Sequence, residues 1–365
     1  MRTCFLWILT LLVLLKIGAY SADCKFPGHV GAYMNLRDGS AENISALINE
    51  AADSGIQFLM PIAKSTSGKA YYKSEIIPEA RPGSPDMLKI VINAAHKRGL
   101  KVYPWICVNC DGGEQPSKTL EEHPEWRVVS IDGKSGGYID PSSPEARDYV
   151  CSVIKEIVSK YDVDGINLDY LRYPSGRNCF CDRCARLFKE ATGYDARDAD
   201  KAMPGTDKWR KWRAWRMKQI NLEMEQIRKV VNEIKPGLPI SSYVWGVHTY
   251  SEKYQTCQDW KTWIKKGWLD WINPSGYIYN MKSFSDRVSQ NRSAIPKGFP
   301  YLVTIGVITS HGRLNTADEI KAQINEAMRL GADGIVFFTL EYTRPFLKDL
   351  SSTLRQLGKH TSQTR

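Results

Sequence analysis

Beyond Leu15 the chain contains no apolar run long enough to cross a membrane, so the sequence argues against stable membrane insertion of its main body. It also lacks a concentrated charge. Fifty basic and 40 acidic residues leave a formal +10 spread over 365 positions, too weak a field to argue for a nucleic-acid partner. No glycine-rich phosphate loop follows the first strand-like segment, His29 to Met34, which argues against a doubly wound dinucleotide-binding sheet. Global disorder is excluded too, because an apolar fraction of 42% is enough for a large core.

The one long apolar run is N-terminal. Arg2 precedes Phe5 to Leu15, and Ala19-Tyr20-Ser21 fits a small-x-small cleavage site before Ala22. Residues 1–21 therefore read as a signal peptide, and the mature protein is expected to be secreted. Removing Cys4 with that segment leaves Cys24, Cys107, Cys110, Cys151, Cys179, Cys181, Cys184 and Cys257. An even set in an exported chain favours disulfides. Asn43-Ile44-Ser45 and Asn291-Arg292-Ser293 match glycosylation sequons.

The remainder alternates two patterns. Short apolar runs (His29–Met34, Ile56–Ile62, Leu100–Ile106, Gly165–Leu168, Pro239–Val244, Leu269–Pro274, Tyr301–Gly306, Ala332–Phe338) read as strands. Between them lie amphipathic segments with helix start signals at Ser40, Ser84-Pro85, Ser143-Pro144 and Thr316 with Glu319. Gly55, Gly99, Gly267 and Gly331 stop helices just before the next strand. Eight such units predict a closed (β/α)₈ TIM barrel over about 28–350. Long connections follow its third and fourth strands, and residues 351–365 read as a polar C-terminal tail. Trp209, Trp212 and Trp215 lie in a basic run. Because their helix must pack on the barrel, they read as core with a basic outer side.

The centre of the pattern is YDVDGINLDYLRYP, Tyr161 to Pro174. It places Asp169 at the C-terminal tip of the fourth strand, the face where such barrels keep their chemistry. This stretch, with YIDPSSPEARDYV, IKPGLPISSYVWG, WIKKGWLDWINPSGYIY and GADGIVFFTLEY, resembles the glycosyl hydrolase-like family 10 domain, in order and over most of the barrel. The resemblance implies a glycan-processing enzyme with Asp169 as its catalytic carboxylate. Two departures stand out. Many members carry two consecutive acids where this chain has Asp169-Tyr170, and the third-strand tip often reads Trp-x-Asn where this chain has Trp105-Ile106-Cys107.

Glycoside hydrolysis ordinarily needs two carboxyls, and the tips of strands five to seven carry none. The second is then Asp140 or Glu341, Asp140 reading equally as an Asx turn before Pro144. The strand also resembles the DGxDxDxE strand of chitinases. However, Asn167 and Leu171 occupy acidic positions of that pattern and transfer no proton, which argues against chitinase chemistry. Trp105, Tyr170, Arg172, Tyr243, Trp245, Asn273 and Tyr277, at or beside strand tips, are the expected substrate contacts.

Cys179-x-Cys181-x-x-Cys184 has metal-ligand spacing, and with Cys107 or Cys110 it would complete a structural zinc site. A similar knuckle occurs in some bacterial barrel β-galactosidases. In an exported chain, disulfides are the favoured alternative. No cofactor is expected in the catalytic site. The reading is a secreted glycoside hydrolase acting on a polysaccharide or glycoconjugate. A non-catalytic carbohydrate-binding barrel or a partner-binding scaffold are the alternatives.

Overall fold

The structure is a computed structural model that describes residues 26–36, 40–200, 205–247 and 256–359. The segment read as a signal peptide and Cys24 lie outside them. Eight parallel strands form the centre: β1 (Val30–Met34), β2 (Phe58–Lys64), β3 (in two pieces, Lys101–Val102 and Trp105–Cys107), β4 (Ile166–Asp169), β5 (Ile240–Val244), β6 (Trp271–Gly276), β7 (Leu302–Gly306) and β8 (Gly334–Phe338). Each pairs with its sequence neighbour, and β8 returns to β1 through Val30↔Ile335 and Gly31↔Val336, which closes the barrel. Around it run α1 (Ala41–Ser54), α2 (Met87–Lys97), α3 (Pro144–Lys160), α4 (Asp182–Thr192), α5 (Asp207–Ile234), α6 (Trp260–Lys265), α7 (Met281–Ala294), α8 (Ala317–Arg329) and α9 (Leu347–Gly358).

The start and stop signals act much as read. The Ser40 side chain accepts from Asn43 N, and α1 ends on Gly55 at φ 100, a left-handed conformation that glycine adopts without a Cβ clash. Ile44, Leu47, Ile48 and Ala51 are the buried stripe of α1, each large aliphatic among them contributing roughly 1.5–3 kcal/mol of burial. Helix α2 differs in its cap. Asp86, not Ser84, accepts from Lys89 N, because the helix begins at Met87 and the residue directly after the Ser-Pro pair is therefore the one placed to cap it.

One boundary and one modification site differ from the sequence expectation. The chain beyond 350 is not a polar tail at first, since α9 continues to Gly358 and buries Leu354 and Leu357. Asn291, in the second sequon, is 1% exposed, and its Oδ1 accepts from Val247 N. A glycan has no room there in the folded chain. Asn43 is exposed on the first turn of α1.

Side-chain alternation along the strands builds the barrel interior in layers. Phe58, Tyr103 and Trp271 meet edge to face at the bottom, with ring centroids 5.7 Å apart. Above them is a polar layer. Tyr33 Oη donates to Asn167 Oδ1 (2.9 Å), and Asn167 Nδ2 donates to Ser241 Oγ (2.8 Å) and Asn273 Oδ1 (3.1 Å). Asn273 Nδ2 donates to Tyr33 Oη (2.7 Å) and Thr304 Oγ1 (3.3 Å). Two residues beyond Asn167, Ser241 and Asn273, the side chains of Asp169, Tyr243 and Ser275 line the C-terminal mouth together with Trp105 of β3 and Phe338 of β8. The interior is a packed core, and the open cleft lies at its upper face.

The connection after β3 folds into a three-stranded antiparallel patch, Cys110–Gly113, Ser135–Ile139 and Arg127–Val129. The connection after β4 carries α4 and leads into α5. There Trp209, Trp212 and Trp215 are buried, as their helical placement required. Trp212 stacks on Trp215 at 5.6 Å and on Phe180 at 5.0 Å.

Candidate active site

A cleft of ≈ 630 Å³ opens at the C-terminal mouth of the barrel. Asp169 stands in its wall, only 8% exposed. Because Asn167 and Asp169 alternate with the outward Ile166 and Leu168, the strand that buries Asn167 in the polar layer must deliver Asp169 to the cleft. The Trp105 indole Nε1–H donates to Asp169 Oδ2 at 3.0 Å, and the amide of Tyr170 donates to Oδ1 at 2.6 Å. Burial pushes the Asp169 carboxyl up to about 6, against the opposing pull of the Tyr170 amide, the Arg172 charge and the Trp105 indole.

The residue that supplies the second donor also begins a strained turn. Tyr170 sits at φ 55, the left-handed region that a bulky L-residue seldom occupies, at a cost of about 1–3 kcal/mol. That conformation turns the chain sharply away from the strand just after Asp169. Arg172 follows, buried between rings, with its guanidinium 4.8 Å from the ring centroids of both Tyr170 and Trp245. It donates to the Tyr173 carbonyl at 3.1 Å.

Aromatic side chains make much of the remaining wall. Trp105 and Phe338 lie 5.7 Å apart, Phe338 and Tyr277 5.2 Å, and Tyr277 and Tyr243 5.8 Å. Trp105, Tyr170, Arg172, Tyr243, Trp245 and Tyr277 are thus brought together around Asp169. Asn273 is not with them. It lies one layer lower, where the spacing of β6 puts Ser275 at the cleft instead.

Other contributors carry little local signal in the sequence. Asn35 follows β1, Ser65 and Thr66 follow β2, and Arg287 projects from α7. Thr309, Ser310 and His311 come from a small hairpin after β7, Ile308–Thr309 paired with Gly312–Arg313. A glycine-hinged polar loop is the only trace of that hairpin in the sequence, and nothing local marks Arg287.

The other two carboxyls separate. Glu341 does not line the cleft. It stands behind it, with Oε1 accepting from the amide of Asn35 at 2.9 Å and Oε2 buried without a hydrogen bond. Burial raises its pKa. Asp140 is fully buried away from the cleft lining. Its Oδ1 accepts from Ser142 N at 3.0 Å, the Asx turn, and Cys181 and Cys184 Sγ both lie 3.3 Å from Oδ2.

The cysteines divide likewise. Cys107 lines the cleft, and Cys110 donates to the Thr66 carbonyl at 3.6 Å. Neither joins the knuckle, whose fourth member is Asp140. Cys179, Cys181 and Cys184 form no disulfide among the described residues. Beneath the β3 tip, Lys64 Nζ pairs with Asp111 Oδ2 at 3.0 Å and donates to the Cys107 carbonyl at 2.8 Å, both side chains being buried.

An aromatic-walled cleft with a buried carboxyl at the fourth-strand tip of a (β/α)₈ barrel is glycosidase-type architecture. The chain belongs to the glycosyl hydrolase-like 10 family, whose match runs over residues 33–307. Glycosyl hydrolase DigH of Escherichia coli (strain K12) is 27% identical over 253 residues, which cover 58% of this chain and 52% of that protein. Glycosyl hydrolase YngK of Bacillus subtilis (strain 168) is 24% identical over 329 residues, 76% of this chain and 61% of that one. The chain therefore spans only about half to three-fifths of these curated relatives. In fold it is similar to the glycoside hydrolase domain of PgaB (BpsB) from Bordetella bronchiseptica, with a TM-score of 0.71 over 92% of this chain and 100% of that one, at 13% identity.

Proposed function

We propose that the protein is an exported glycoside hydrolase that cleaves a polysaccharide or glycoconjugate held in this cleft, with Asp169 as its acid/base. The observation that carries the reading is the Asp169 carboxyl. It is buried at the mouth, raised to about 6, and faced by aromatic rings suited to sugar faces. A carboxyl titrating there is protonated often enough near neutral pH to donate to a leaving glycosidic oxygen. Its conjugate base then takes a proton from the incoming water. Glu341 is the second carboxyl on this reading, which requires the Asn35 segment in front of it to shift when substrate binds. Asp140 is committed to the thiols. Export is proposed from the N-terminal segment alone.

One observation favours a second reading, a carbohydrate-binding barrel without turnover. Among the described residues lining the cleft, Asp169 is the only carboxylic acid. A reducing-sugar assay across polysaccharides, run beside a glycan array, separates the two. Turnover that falls tenfold per pH unit above about 6 and is lost in Asp169→Asn supports the hydrolase. Glycan binding without turnover selects the binding barrel.

A further inference from the structure

Outside the cleft, Asp140, Cys179, Cys181 and Cys184 converge so that one ligand atom from each lies within 4.8 Å of all the others. We propose that this cluster is a closed structural zinc site with an Asp-Cys₃ ligand set, tying the connection after β4 to the one after β3. It does not rest on the hydrolase reading.

The geometry is that of a tetrahedron around one ion. With Zn–S of about 2.3 Å and Zn–O of about 2.1 Å, tetrahedral angles put sulfur and oxygen ligands about 3.6 Å apart. Asp140 Oδ2 lies 3.3 Å from Cys181 Sγ, 3.3 Å from Cys184 Sγ and 3.7 Å from Cys179 Sγ. Thiols merely packed in a core have no reason to surround one carboxylate on three sides.

The surroundings suit anionic ligands. Ser142 donates to Asp140 through its amide (3.0 Å, Oδ1) and its hydroxyl (2.8 Å, Oδ2), which fixes the carboxylate orientation. The Val129 amide points at Cys179 Sγ (3.3 Å), and the Cys184 amide at Cys181 Sγ (3.4 Å). Arg183 Nη1 is 3.5 Å from Asp140 Oδ2 and offsets part of the charge left after a divalent cation binds. Binding converts the three thiols to thiolates and releases their protons to solvent.

A disulfide satisfies the cluster less well. It joins two sulfurs at about 2.0 Å and leaves the third thiol beside a buried carboxylate that Arg183, at 3.5 Å, only partly offsets. The ligand chemistry, three soft sulfurs and one carboxylate oxygen, selects zinc over calcium or magnesium. All four positions are supplied by the protein and three of them are buried, which makes the site structural. The span it closes is long. Asp140 precedes α3 and the three cysteines begin α4, so the ion would hold together two connections separated by a helix and the active-site strand.

The test uses the full-length chain, purified without added metal and analysed for metal by mass spectrometry. One zinc per chain is expected, retained on dialysis and released when a mercurial titrates the thiols. Cys181→Ser and Asp140→Asn should each lower zinc retention at least tenfold, while Cys151→Ala, outside the cluster, keeps it. If the variants fail to fold, cobalt replaces zinc in the wild type, and the visible bands of tetrahedral thiolate coordination are the expected result. Folded wild type that takes up no zinc from a zinc-containing buffer overturns the proposal. So does a disulfide mapped within the knuckle, or a cobalt protein without those bands. Glycosidase assays of Asp169→Asn are independent of these outcomes.

Discussion

Replacing Asp169 by asparagine should separate what this carboxyl costs the fold from what it does in the cleft. Burial raises it from 3.8 to about 6 in the folded chain. As pH rises through that interval, the unfolded chain releases this proton before the folded chain does, so wild-type stability falls across the window. A difference of about two pK units is about 3 kcal/mol lost once pH is well above 6. The amide has a cost of its own, because its NH₂ must face one of the two N–H donors, Trp105 Nε1 or Tyr170 N. That cost is about 1–3 kcal/mol, but it does not change with pH. The informative quantity is therefore the pH dependence of the difference. Urea denaturation of both proteins from pH 4 to 8 should show variant-minus-wild-type stability rising by about 2.4 kcal/mol, the first ~0.6 kcal/mol of the loss falling below pH 4. Other titrating groups are common to both chains and cancel. A difference constant to within about 0.5 kcal/mol would refute the raised pKa, and with it the case for Asp169 as a proton donor near neutral pH.

Three further substitutions test the rest of the site. Glu341→Gln keeps an acceptor for Asn35 N but removes the charge. As the second carboxyl it should cost kcat at least about 100-fold while glycan affinity holds, and unchanged kcat would make Glu341 a brace for the wall. Trp245→Ala removes one ring from the Arg172 sandwich and from the cleft; KM should rise about fivefold at similar kcat, near 1 kcal/mol of stacking, and an unmoved KM counts against a sugar contact there. Lys64→Met strands the buried Asp111 under the β3 tip and should cost about 3–5 kcal/mol by denaturation, part of it recovered in Lys64→Met with Asp111→Leu. A loss below about 1 kcal/mol would show that water reaches the pair.

The barrel was legible because its signals are local. Caps such as Ser40 and Ser143, stops such as Gly55 and Gly331, and short apolar runs each depend on a few neighbouring residues. The layer structure was only half legible. Asp169 could be placed because β4 ends on it, whereas Asn273 was read one layer too high. A single strand shows which residues alternate, but the height at which its tip leaves the barrel is set by register with β5 and β7. The hairpin bearing His311 and the helix face bearing Arg287 reach the cleft through tertiary placement alone.

The three candidate carboxyls show how much a short-range reading can hold. Asp140 was read as a second catalytic acid or as an Asx turn, and the hydrogen bond from Ser142 N is that turn. The turn, however, is only its local half. The other half is supplied by sulfurs some forty residues away, which no periodicity or spacing around Asp140 announces. Asp169 and Cys179 leave the barrel on the same connection, the one that begins with the strained Tyr170. Arg172 is held there between rings, and Tyr173 packs under Arg216 of α5 at 4.5 Å. A clamp at Cys179–Cys184 would therefore hold the connection that begins beside Asp169 a few residues further on. With the zinc site and the hydrolase both as proposed, Asp140 would support the cleft from behind, by fixing the connection that begins beside Asp169.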